Sequence, residues 1–317
     1  MKRLIFNLFS FSTIIIFLIS FIFFLPPTPR SKKSLLFSQI DKDSLLINTP
    51  SPRIILVGGS NLSFGINSQT IKDSLNLNPI NTGVHASIGL IYMLDHTLDY
   101  IKAGDVVVVI PEYSQFFDNF AYGGEELLRT IFDVPSLKKT NKLRFQQIVN
   151  ILPFLFKYIF TKVKKEEYVI GIPNKYYSRN SFNKYGDVYK HWNMPNEKVI
   201  PYNSINLNDQ IDKDVVRALL NYQDTLLKRG ARMYVSFPSI QESSYKNCES
   251  SILLIEKVLR ENSFKILGTS ERYKFNDSLI FNTPYHLTKN GVDYRTELLI
   301  EDFKSYQKSP KNRYDKN

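Results

Sequence analysis

The 317-residue chain has one cysteine, Cys248, so no intramolecular disulfide and no cysteine-based metal cluster can hold it together. Its four histidines, His85, His96, His191 and His286, have no metal-ligand spacing, and no metal site is expected. Behind Gly58-Gly59 no third glycine stands in register, which excludes a dinucleotide fingerprint, and no phosphate-binding glycine loop occurs elsewhere; no cofactor is expected. There is no internal repeat and no long low-complexity run. What the chain does have is 43% hydrophobic and 22% charged residues, which excludes a disordered tail protein, a collagen-like fibre and a polytopic membrane protein.

The net charge is +11, but the basic residues are spread along the chain instead of forming one stripe, so no nucleic-acid partner is expected. Lys2, Arg3, Arg30, Lys32 and Lys33 flank an apolar segment, and Lys308, Lys311, Arg313 and Lys316 crowd the tail. A basic face toward anionic lipid or a polyanionic envelope polymer stays open.

From Leu4 to Leu25 the chain carries no charge and is long enough to cross a hydrocarbon layer of roughly 30 Å as a helix. No small-residue cleavage site follows it; Phe23, Phe24 and Leu25 run into Pro26-Pro27, which favours an uncleaved single-pass anchor over residues 1 to 30. The charges on its two sides argue against placing the bulk outside the cell. Residues 31 to 52, bounded by prolines, read as a stalk or linker that lifts the domain off the bilayer.

One elaborated domain is expected over 53 to 307, followed by a disordered basic tail over 308 to 317. Apolar runs at Ile54 to Val57, Pro79 to Thr82, Asp105 to Tyr113, Arg232 to Phe237 and Phe264 to Leu267 read as strands. Between and after them, helices are expected at Ser68 to Leu75 with Ser68 as its cap, and at Ile88 to Ile101, Asp212 to Lys228, Ser251 to Arg260 and Asn290 to Tyr306. Such alternation means βαβ units and a three-layer α/β/α sandwich. Residues 120 to 208 do not alternate and read as an inserted helical and aromatic segment.

Two stretches carry chemistry. Ile54 to Gly65 is a buried strand ending in Gly58-Gly59-Ser60-Asn61, which puts Ser60 at a strand's C-terminal edge, where ligands bind in an open α/β sheet; an ordinary tight turn fits the same residues. Phe281 to Gly291 delivers His286 in a loop ahead of the last helix, and a serine becomes nucleophilic only beside a base such as a histidine.

Gly-Gly-Ser-Asn after the first strand and Tyr-His-Leu-Thr-x-x-Gly before the last helix together resemble the two ends of the SGNH (GDSL-like) hydrolase and acyltransferase family, in a membrane-anchored envelope-polysaccharide branch. The resemblance covers about 53 to 303 in architecture, with specific motifs over a few dozen residues. It implies a parallel flavodoxin-like sheet, Ser60 as nucleophile with Gly59 replacing the family's aspartate, and His286 as base. Asn81-Thr82-Gly83 looks like the motif whose glycine amide joins the oxyanion hole, which assigns that role to Gly83 beside the Ser60 amide. The third motif departs: Ile110-Pro111-Glu112-Tyr113 stands where Gly-x-Asn-Asp is usual, and this places Glu112 and Tyr113 near substrate. The triad acid departs too, for Asn282 occupies its position, with Asp277 as an alternative acid. A Ser-His dyad, an acid recruited from Asp277 or Glu112, or a weakened site all remain open.

His85 is expected to line the pocket. Tyr168, Tyr176, Tyr177, Phe182, Tyr185, Tyr189, Trp192 and Tyr202, interleaved with Asn183, Asp187, His191 and Asn193, suit sugar rings or pack the insertion onto the domain; Tyr185 and Trp192 are the substrate candidates. Phe145 to Val163 is apolar on most sides and suits either a bilayer surface or core packing. Function follows as an expectation: a serine acyltransferase or esterase acting on acyl, especially acetyl, esters of a cell-surface glycan, to which the resemblance adds a polytopic membrane acyl-donor protein as partner and a domain outside the cytoplasm. The alternative is a weakened scaffold that binds glycan or a membrane partner.

Overall fold

A computed structural model describes residues 1–135, 143–169, 175–206 and 210–308. The central sheet has five parallel strands, β1 (Arg53–Gly58), β2 (Asn78–Asn81), β3 (Val106–Ile110), β4 (Arg232–Ser236) and β6 (Ile266–Leu267), in the spatial order β2-β1-β3-β4-β6. A short parallel pair, β5 (Ile240–Gln241) with β7 (Lys274–Phe275), stands apart.

Ile54, Ile55, Leu56 and Val57 are all buried, as are Val106 to Ile110, because helices cover both faces of the sheet. Residue alternation sorts these side chains. Ile55, Val57, Val107, Val109, Met233 and Val235 pack with Leu90, Leu94, Leu219 and Ile252 of the helices Leu90–Leu98, Lys213–Lys228 and Glu242–Glu261. Ile54, Leu56, Val106, Val108 and Tyr234 pack on the other side with Ile71 of helix Ser68–Leu75 and Leu299, Ile300 and Phe303 of helix Lys289–Lys308. Each such aliphatic contributes roughly 1.5–3 kcal/mol by leaving water, so the two faces together supply most of the driving force. The result is the three-layer arrangement expected.

Strand order reverses between β1 and β3, so the crevice outside their C-terminal ends is where a doubly wound sheet accepts ligand. Register aligns those ends: Gly58 pairs with Ile110 and Leu56 with Asn81, bringing the loops after β1, β2 and β3 side by side.

Element boundaries differ from expectation where polar side chains decide them. Ser68 lies inside its helix with Asn67 as the cap; its amide and hydroxyl both donate to Asp187 of the inserted segment (2.9 and 2.7 Å). The helix expected from Ser251 begins at Glu242, and the strand expected from Phe264 is only Ile266–Leu267.

Residues 31 to 52 are not a stalk. They fold as short helices, Pro29–Lys33, Leu35–Phe37 and Ser38–Asn48, whose Leu35, Leu36, Phe37 and Leu46 join the core. Lys42 is buried and donates to the carbonyls of Asn81 and Gly186 (both 2.8 Å); burial lowers its pKa to about 7, against the pull of Asp187 and Asp41. Arg53, buried and ion-paired with Asp105, also donates to the Leu46 and Tyr100 carbonyls, which fastens this segment to the base of the sheet.

Lys2–Phe23 is one helix of 22 residues, long and apolar enough to cross a membrane. Its last turn meets the inserted segment between β3 and β4, which holds the helices Glu125–Asp133, Phe145–Ile151 and Leu155–Lys162. The Phe23 ring lies 4.7 Å from Phe132 and 5.7 Å from Tyr158, and Lys162 donates to the carbonyls of Phe23 (3.2 Å) and Leu25 (2.5 Å). The basic tail expected over 308 to 317 lies, from residue 309 on, outside the described residues.

Candidate functional site

Ser60, His85, Glu112 and His286 line one cavity of about 530 Å³ at the C-terminal edge of β1 and β3. Its wall is completed by Leu35 and Leu36 from the segment before β1, Glu126 and Arg129 from helix Glu125–Asp133, Tyr177 and Tyr202 from the insertion, and Thr283 and Tyr285. Four elements far apart in sequence converge here because each ends at the same sheet edge.

Ser60 opens the single turn Ser60–Ser63, where the chain leaves β1 sharply. Its hydroxyl points at Glu112 Oε1, 3.5 Å away, the outer limit of a hydrogen bond. The same oxygen accepts from the Asn61 amide (3.2 Å) and Asn61 Nδ2 (3.4 Å). Asn61 is held in turn by the buried Arg295, whose guanidinium donates to its carbonyl (2.5 Å) and to Oδ1 (3.0 Å). Glu112 is itself buried, and burial pushes its pKa up to about 6 although Asn61, Ser60 and Arg295 all favour the carboxylate.

Position 59 has room only for glycine. A Cβ on residue 59 would stand 2.8 Å from Glu112 Oε1 and 3.0 Å from the Ala86 Cα, so any side chain there would collide with the carboxylate. The space beside Gly59 is taken by the carboxylate of Glu112, from the loop after β3.

His286 is buried, its ring stacked on Phe64 at 4.1 Å and 10°. Asn282 Nδ2 donates to the Tyr177 hydroxyl (2.9 Å), which turns Asn282 Oδ1 toward the imidazole at 2.8 Å from Nδ1. An amide oxygen only accepts, so Nδ1 carries the proton and Nε2 keeps its lone pair. Burial, and then the neighbouring His191 and His85, hold the imidazole pKa well below its ordinary value. The ring is neutral and oriented, with an amide behind it where a charge-bearing triad has a carboxylate. Among the described residues no hydrogen bond joins Ser60 to His286, although both line the same cavity.

Several expected site residues stand elsewhere. Asp277 does not reach His286; it accepts from the Ser243 hydroxyl (2.7 Å) and amide (3.2 Å) and from Gln241 Nε2 (3.1 Å), at the start of helix Glu242–Glu261. The Gly83 amide does not face an oxyanion, because Asn81 Oδ1 takes its proton at 3.1 Å. Tyr113 follows Glu112 but turns into the core, 1% exposed, beside Tyr285. Tyr185 donates to Gln69 (2.8 Å) and Trp192 packs against the core under Lys289; neither lines the cavity. Of the eight aromatics expected over 168 to 202, Tyr177 and Tyr202 line it, joined by Phe120, and His191, its pKa lowered to about 4 by burial, packs between Phe64 and Phe281.

Three contributors escape inspection of the sequence: Tyr177 as the group that sets the Asn282 amide, Asn61 as the link between Glu112 and Arg295, and Phe64 as the floor under the imidazole. Arg295, a cation among the apolar positions of the last helix, is the one visible signal for that network. No family model and no curated protein matches this chain.

Proposed function

We propose that the chain is a membrane-anchored, SGNH-like serine acyltransferase or esterase that works on acyl esters of a cell-surface glycan outside the cytoplasm. The observation that carries this is the shared cavity at the switch point of the sheet, with Ser60 on one side and a neutral His286 held by Asn282 on the other.

The Ser60 oxygen attacks the acyl carbonyl carbon while its proton passes to His286 Nε2, and the Ser60 amide stabilises the oxyanion, a contribution of about 3 kcal/mol per donor. Collapse breaks the ester C–O bond; the proton on Nε2 goes to the leaving alkoxide and an acyl-Ser60 remains. A sugar hydroxyl or water then attacks that carbonyl, gives its proton to Nε2, and the second collapse returns Ser60 as the hydroxyl. Glu112 fixes the Ser60–Ser63 turn through Asn61 and orients the Ser60 hydroxyl. An anchored domain suits modification of a polymer during export, with acyl groups supplied by a polytopic membrane protein.

A second reading, a scaffold that binds glycan without turnover, is favoured by one observation: no carboxylate backs His286. A fluorophosphonate probe on the full-length protein in detergent separates the two. Acyl transfer requires labelling at Ser60 that both Ser60→Ala and His286→Ala abolish. Folded wild-type protein that stays unlabelled refutes an activated serine.

A further inference from the structure

The inserted segment carries an apolar stripe that the rest of the protein leaves uncovered. Phe145, Ile148, Val149, Leu152, Phe156, Phe160 and Val163 are all exposed, the phenylalanines by 78%, 63% and 62%. Phe145, Ile148 and Val149 share one face of helix Phe145–Ile151, Phe156 and Phe160 share one face of helix Leu155–Lys162, Leu152 lies in the 3-10 turn between the two, and Val163 follows the second. The opposite side, with Ile151, Tyr158 and Ile159, packs into the core. A soluble protein rarely shows water an apolar strip of this size.

The place of the strip identifies its cover. Helix Leu155–Lys162 rests on the last turn of Lys2–Phe23, with Ile19, Ile22 and Phe23 packed against the same core and Lys162 bonded to the carbonyls of Phe23 and Leu25. A 22-residue helix is about 33 Å long, close to the roughly 30 Å of a bilayer's hydrocarbon. Phe23 therefore marks the boundary between acyl chains and headgroups, and whatever packs on Ile19 to Phe23 lies at that boundary. Lys164 and Lys165 stand exposed beside the strip, suited to lipid phosphates, while Lys157 is paired with Glu125.

We propose that residues 145–163 form a second, in-plane membrane contact, with the stripe from Phe145 to Val163 sunk into the lipid at the acyl–headgroup boundary next to the anchor. This rests on the anchor part of the function proposed above and goes beyond it. The occupant is the bilayer itself; interfacial helices of this kind bury their apolar face by roughly 5–10 Å.

The test uses full-length protein in proteoliposomes, with single cysteines introduced by Phe156→Cys, Phe160→Cys, Ile14→Cys and Leu227→Cys and labelled with a bimane. Cys248 is buried, so unsubstituted protein is the unlabelled control. Brominated lipids are expected to extinguish most of the emission at positions 14, 156 and 160 and to leave position 227, exposed on helix Lys213–Lys228, at full intensity. Quenching at 14 but not at 156 and 160 overturns the proposal while leaving the anchor intact. Labels at 156 and 160 that resist both brominated lipid and aqueous iodide would show a protein covering the strip and also overturn it. Absence of quenching at position 14 removes the anchor, and the in-plane contact with it.

Discussion

Glu112 makes stability depend on pH in a way that one substitution isolates. Its carboxyl pKa is pushed from an ordinary 4.5 up to about 6, so folding favours the protonated form and works against the charge. The sign follows: below about pH 4.5 the group is protonated in both folded and unfolded chains and contributes nothing, and as pH rises through 6 the folded state must hold a buried carboxylate that the unfolded chain would hydrate. A displacement of that size costs about 2 kcal/mol, fully felt above pH 6. Glu112→Gln keeps the shape and removes the ionisation. Wild type and variant, denatured chemically in the same detergent from pH 4.5 to 7.5, should agree at the acid end and diverge by about 2 kcal/mol at the neutral end, with the variant more stable. In thermal melts the gap should be roughly 4–8 °C for a domain of this size. His191, lowered to about 4, titrates in part of this range with the opposite sign, since its charging weakens the fold as pH falls; it is common to both proteins and cancels. Parallel pH curves would refute the reasoning and mean that Asn61 and Arg295 repay the carboxylate in full.

Asn282→Asp should give the imidazole a charged partner while the Tyr177 hydroxyl turns to donate to it; fluorophosphonate labelling of Ser60 should then speed up by at least tenfold, about 1.4 kcal/mol of barrier, and an unchanged rate would mean that His286 is not the base. Gly59→Asp should lower stability by about 2 kcal/mol because its Cβ meets Glu112 and Ala86, and Glu112→Ala in the same chain should recover part of that loss in a denaturation titration. Lys162→Ala leaves the buried Asp133 without its cation and should cost about 3 kcal/mol in thermal or chemical unfolding, with Asp133→Asn restoring part of it.

The sheet is legible in the chain because its strands are buried on both faces: Ile54 to Val57 and Val106 to Ile110 are unbroken β-branched and aliphatic runs that little else explains. Ser60 and His286 are legible for a related reason, since each follows or precedes such an element at the edge where loops gather. What escapes is set by side chains that meet only in the folded chain. Residues 31 to 48 look like linker because prolines stand on both sides of them and serines and lysines are scattered through them, yet Lys42 is buried by two carbonyls that arrive from positions 81 and 186. An oxyanion role for Gly83 rests only on resemblance, and a side chain two residues earlier takes its proton. Tyr113 adjoins Glu112 in sequence, but the 3-10 turn Tyr113–Phe116 swings its ring into the core. Asp277 is near His286 along the chain and is spent on the start of a helix.

The grip of Lys162 on Phe23 and Leu25 has a mechanical sequel. With its final carbonyls clasped and its Phe23 ring wedged between Phe132 and Tyr158, the apolar helix cannot spin about its axis independently of the domain. Azimuth is thereby transmitted: a neighbour that grasps one side of that helix also sets the compass bearing of the cavity, and two such molecules held by their helices can be aimed at each other without touching elsewhere.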